Sequence, residues 1–169
     1  KEGTLYSDRI KALINPIYEF VKPLEDKLNK IIAFTDTHEE DSVELLSYPA
    51  HCLADSDECK VVDELLDIKN LEIIQKNSTN GFFAIDINTL NDIDNVVVVG
   101  DCTDICIYQF VVTLKAYFNE KNINKNIVVP MNLVDTYDIP FVHPGDLLNV
   151  VFLNSMVQNG IKLIKKFSL

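Results

Sequence analysis

The stretch Val96-Val97-Val98-Val99-Gly100-Asp101-Cys102-Thr103-Asp104-Ile105-Cys106 decides how this chain folds. β-Branched side chains suit a pleated surface, and four in a row predict a strand buried on both faces, as in a parallel sheet covered by helices. Gly100 ends the run and a polar turn comes next. Thr103 or Asp104 is placed to cap a helix running through Phe118, with Cys106 in its first turn. Unpaired N–H groups and the positive end of the helix dipole favour a thiolate there. The same position also suits a small buried residue packed on the sheet, because cysteine is among the most buried types. Cys102, in the turn itself, reads as a packing residue.

Outward from this stretch, strands and helices alternate. Ile10, Leu13, Ile14, Ile17, Phe20, Val21, Leu24 and Leu28 carry a helical period over 8–28, which Pro16 and Pro23 kink or divide. Residues 30–35, 71–76 and 126–130 read as strands, 59–66 and 88–93 as short helices, and 161–167 as a last strand or tail. A helix over 146–159 is stopped by Gly160. The pattern predicts an α/β fold, a parallel sheet with helices on both faces. In such sheets ligands gather beyond the carboxyl ends of the strands. Asp36/His38, Lys76 and Cys106 all fall there.

The 169 residues suffice for one domain over 1–169. Net charge is −11, which argues against nucleic acid or an anionic membrane surface as partner. No apolar run reaches the roughly 20 residues of a membrane helix, and no signal peptide opens the chain, so a cytoplasmic protein is expected. Cys52, Cys59, Cys102 and Cys106 show no CxxC spacing, and reduced thiols are expected.

The long polar loop after residue 36 carries two of the three histidines. Asp36, His38 and His51, with Glu44 as a further candidate, suit a divalent metal such as Zn²⁺, Fe²⁺ or Mn²⁺ with positions left open. The alternative is that they hydrogen-bond the loop backbone, which short spacing alone favours. Lys76, ending a strand, either lines a cleft and lowers a thiol pKa or is a solvated strand end. His143, before Pro144-Gly145, reads as a loop residue.

Three segments together resemble the isochorismatase-like cysteine hydrolases, in their nicotinamidase branch. Thr35-Asp-Thr-His38 with Tyr48-Pro-Ala-His-Cys52 resembles the nicotinamidase metal loop. Lys76-Asn-Ser-Thr-Asn-Gly-Phe82 resembles the segment opening on the family's catalytic lysine, and Val99–Cys106 its nucleophile turn. Asp135-Thr-Tyr-Asp138 resembles a later loop. The resemblance implies a three-layer αβα sandwich with a mostly parallel, Rossmann-like sheet. It implies an Asp-Lys-Cys triad, with Lys76 and Cys106 matching two members. It implies a cis peptide at Asp101–Cys102 and an oxyanion hole from the Cys102 and Cys106 amides. It further implies a zinc-type metal on Asp36, His38 and His51, a dimer or tetramer, and a place in NAD salvage. The family's catalytic aspartate, on a first central strand, has no match here. The chain opens on residues resembling those just after that motif, so roughly 15 preceding residues and a gap at the sheet centre are expected. The expected activity is hydrolysis of nicotinamide to nicotinate and ammonia through a Cys106 thioester. The alternatives are a ureido or carbamoyl amide substrate, or a non-catalytic member. The intact cysteine argues against isochorismate vinyl-ether hydrolysis, which does not need it.

Overall fold

Two parallel sheets carry the architecture of the computed structural model, which describes residues 3–165. One pairs β1 (Ile31–Asp36) with β2 (Leu71–Lys76). The other has the order β3-β4-β5, formed by Asn95–Val97, Asn126–Pro130 and Lys162–Ile164. The helices are α1 (Asp8–Lys11), α2 (Ile14–Val21), α3 (Asp63–Leu66), α4 (Tyr108–Glu120) and α5 (Gly145–Gln158). Among the described residues no pairing joins β1 to β3, so the sheet is divided at its middle, where a gap was expected.

This division corrects the reading of the valine run. β3 is an end strand, Val97 is 38% exposed, and only Val96, Val98 and Val99 are partly covered. A strand with one unpaired edge is not closed off from solvent as a central strand is. The run still holds its register beyond Val97. Val98 N–H donates to Val128 O at 2.9 Å and Gly100 N–H to Leu133 O at 2.9 Å. Gly100 sits at φ +116°, where a side chain would be strained.

Other expectations shift locally. The helix read over 8–28 is broken into α1, α2 and a 3₁₀ turn at Lys22–Leu24 that holds Pro23, which has no N–H to continue an α-helix. The helix read over 59–66 becomes a 3₁₀ turn at Asp57–Cys59 followed by α3, and that over 88–93 a 3₁₀ turn at Ile87–Leu90. The last strand is β5; the part read beyond residue 165 lies outside the described residues.

The core gathers where α4 meets β4. Val111, Leu114 and Phe118 of α4 pack with Ile127 and Val129 of β4, Met156 of α5 and Ile161. Lys125 enters this region with an unusual role. It is 8% exposed, and its Nζ donates to the carbonyls of Leu90, Asn91 and Ile93 at 2.8, 2.7 and 2.7 Å. One ammonium thus satisfies three carbonyls ahead of β3. Lys125→Met keeps the stem and removes the donors, and is expected to cost about 3 kcal/mol. A urea midpoint lowered at unchanged slope checks this; an unchanged midpoint refutes it.

Candidate active site

Strand register assembles the first pair. β1 and β2 run parallel with Asp36 opposite Lys76, so both side chains emerge at the carboxyl ends of adjacent strands. Lys76 Nζ is bonded to Asp36 Oδ1, donates to Ser78 O at 3.0 Å, and lies 3.8 Å from Cys106 Sγ. The lysine is buried at 7% exposure. Burial works against its charge, yet the neighbouring Cys106, Asp36 and Glu44 raise its pKa overall, so it stays an ammonium.

The turn that carries Cys106 differs from the expected helix start. Thr103–Ile107 is π-helical, with Ile107 N–H donating to Cys102 O at 3.1 Å. Cys102 stands at the N-cap without a side-chain cap bond, so neither Thr103 nor Asp104 caps. Asp104 is engaged elsewhere, and Thr103 Oγ1 is buried without a partner. Asp101–Cys102 is a cis peptide.

The thiolate expected from the helix start is not what this environment favours. Burial pushes the Cys106 thiol up to about 11; Lys76 and the Cys102 backbone pull down, while Asp36 and Asp101 push up. In this half-buried place desolvation is the larger effect. Cys102, half-buried, is pushed up further by burial and Asp101. Asp101 is reachable by solvent yet surrounded by protein, and that crowding with the Asp36 charge raises it to about 6.

The loop after β1 brings the two histidines together, with ring centroids 4.9 Å apart. His38 is fully buried, and its Nδ1 lies 2.9 Å from Asn77 Oδ1, which also accepts from Ser42 Oγ. That contact fixes Nδ1 as the donor and leaves the Nε2 lone pair buried with no partner. His51 Nδ1 donates to Pro49 O at 2.7 Å, which likewise turns the Nε2 lone pair outward from that bond. An orphaned imidazole nitrogen beside a second imidazole fits a metal such as zinc. Asp36 does not join them: it is drawn to Lys76. Glu44 accepts from Thr79 N–H at 3.2 Å. Among the described residues no three His, Cys, Asp or Glu side chains converge on one point. A cavity of about 450 Å³ opens beside His38, lined also by Glu39, Leu53 and Asp55.

One neighbour of the Cys106 turn escaped the sequence reading. His143 Nε2 lies 2.8 Å from Asp104 Oδ2, two residues before Cys106. Thr136 Oγ1 donates to Asp104 Oδ1 at 2.6 Å, and Thr103 N–H to Asp135 O at 3.0 Å. Burial works to raise Asp135, but the Arg9 guanidinium and Asn149 outweigh it and hold the carboxyl below its usual range. The 133–143 segment therefore clamps the Cys106 turn. Only the Asp135-Thr-Tyr-Asp138 motif hinted at it; His143 carried no local signal.

Comparison with known proteins agrees with this geometry. The sequence profile of the isochorismatase domain matches residues 1–136. Nicotinamidase 1 of Arabidopsis thaliana is 25% identical over 190 residues, covering 98% of this chain and 78% of its own length. The yeast nicotinamidase structure superposes with a TM-score of 0.80 at 15% identity, over 96% of this chain and 92% of the other. N-carbamoylsarcosine amidase from Thermoplasma acidophilum gives 0.77 at 16% identity, over 97% and 88%.

Proposed function

Because the chain belongs to the isochorismatase family, we propose that it is a cysteine hydrolase of small amides, with nicotinamide the leading substrate. The observation that carries this reading is the buried Lys76 ammonium 3.8 Å from Cys106 Sγ, at the carboxyl ends of two parallel strands. Relatives named nicotinamidases supply the substrate class.

In this reading Cys106 attacks the carboxamide carbon and a C–S bond forms as the C–N bond breaks. The thiol proton leaves with the nitrogen as ammonia, and water then cleaves the thioester to the acid and regenerates the thiol. Because the resting thiol sits near 11, attack needs proton removal in step with C–S bond formation rather than a standing thiolate. Asp36 and Asp101 are the described carboxylates whose charge reaches the sulfur. Lys76 offsets the negative charge of sulfur and carboxylate together. The Cys102 and Cys106 amides supply the oxyanion donors. His38 and His51 would hold a divalent metal, while Asp36 stays bonded to Lys76. Bound there, Zn²⁺, or Fe²⁺ or Mn²⁺, supplies a Lewis-acid point that orients a pyridine nitrogen.

A second reading, hydrolysis of a ureido or carbamoyl amide, draws on the pairing of Asp36 with Lys76 rather than with the histidines, and on the likeness to a carbamoylsarcosine amidase. Ammonia release from a panel of amides, with and without a chelator, separates the two. Release from nicotinamide that chelator abolishes and zinc restores is the expected result. Chelator-indifferent release from carbamoyl amides instead selects the second reading. Silence from the folded protein across the panel defeats both.

A further inference from the structure

The clamp on the nucleophile turn ends on a histidine whose two ring nitrogens both face acceptors. Nε2 is 2.8 Å from the Asp104 carboxylate and Nδ1 is 2.9 Å from the Tyr137 carbonyl. A neutral imidazole has one N–H and one lone pair, so it satisfies only one of these oxygens. Both bonds form together when the ring carries two protons, with Asp104 ionised opposite it. The surroundings are built for that state. The side chains of Asp104 and His143 are 6% and 13% exposed, so water gives little relief to whichever oxygen is left unpaired. The Tyr137 ring stacks on the imidazole at 3.7 Å and 17°, a face that favours a cation. Gly145 keeps the Tyr137 carbonyl in place: a Cβ there would stand 2.7 Å from that oxygen.

We propose that His143 is a positioning residue for the Cys106 turn, acting through Asp104, and that it holds the turn only while both ring nitrogens are protonated. This role presupposes the proposed function, with Cys106 as the reacting group. Loss of a proton at Nε2 opposes a lone pair to the carboxylate; loss at Nδ1 opposes one to the carbonyl. Either change loosens one end of the clamp, whose other contacts hold the turn through Thr136 Oγ1 on Asp104 and the Thr103 N–H on Asp135 O. The groups facing this pair come from every neighbouring element. Asp104 and Cys102 lie on the turn, Tyr137 and Asp138 on the clamp segment, and Tyr48 on the loop after β1. Arg9 of α1 is the nearby cation, and Asp135 and Asp146 neutralise it. Asp138 is already occupied by the Gly145 N–H. No other described cation competes for Asp104.

The test needs no substrate. In the full chain labelled with ¹⁵N-histidine, and assigned against His143→Gln, both His143 ring nitrogens are expected to be protonated at pH 6. As they lose a proton with rising pH, the backbone amides of 103–107 should shift in the same titration. For hydrolysis, His143→Gln should lower kcat about tenfold with KM within twofold and remove the alkaline limb of the kcat profile that this titration produces. A neutral single-tautomer His143 in the wild-type protein overturns the proposal, as do 103–107 amides that do not follow its titration. Both wild-type readouts survive if the His143→Gln variant misfolds, because the other two histidines can be substituted to complete the assignment. They stand even if no amide proves to be a substrate, so failure here and failure of the proposed activity are distinguishable.

Discussion

Cys106→Ala abolishes amide hydrolysis, a loss of roughly 10⁴-fold or more, while fold and metal content stay as in the wild type. The change deletes one half-buried sulfur, so a stability cost of about 1 kcal/mol is expected and the circular dichroism spectrum is unchanged. Metal content is measured in parallel, because His38 and His51 lie on a different loop, held by Asn77 and Pro49 rather than by the nucleophile turn. The companion Cys102→Ala separates sulfur from backbone. Only the Cys102 N–H is assigned a role, and alanine keeps it, so turnover within about threefold of wild type is expected. Hydrolysis surviving in Cys106→Ala sinks the thioester route; hydrolysis lost in Cys102→Ala as well sinks the division of labour between the two cysteines. Ammonia release and intact-mass detection of an acyl adduct on Cys106 are the two measurements.

The parts of this site legible in the sequence are those that local period and strand ends dictate. Residues 71–76 and 126–130 read as strands with the bounds the structure shows, and 30–35 lies one residue from β1. An alternating or β-branched run bounded by polar residues leaves little choice. The ends of β1 and β2 then put Asp36 beside Lys76 without further information. The features that stayed hidden depend on packing at a distance. The valine run looked buried on both faces because β-branched composition reports a preference for sheet, not which neighbours a strand finds. Asp104 looked like a cap because Ser, Thr and Asp favour helix starts, yet Thr136 and His143, distant in sequence, claim its carboxylate. The thiolate expectation set the helix start level with burial, which is the larger effect in the structure.

Lys76→Met gives the second large effect, and its sign is fixed by the balance at Cys106. Burial pushes the thiol up to about 11, and Lys76 is the first opposing influence. Removing that ammonium sends the thiol higher still, and each unit upward cuts the thiolate fraction tenfold at any pH below it. Alkylation of Cys106 by iodoacetamide at pH 8, followed by peptide mapping, is therefore expected to slow by at least about tenfold, and hydrolysis to fall by about 10³-fold. Asp101→Asn acts in the opposite direction. Its charge raises the Cys106 thiol, so the neutral amide should speed alkylation at the same pH. A packing disturbance would slow or speed both variants alike; an electrostatic balance moves them apart. In the wild type the alkylation rate should climb about tenfold per pH unit through the neutral range, because the ionisation lies well above it. A rate already flat at pH 7 would mean a standing thiolate, and the in-step proton removal argued for Cys106 would fall with it.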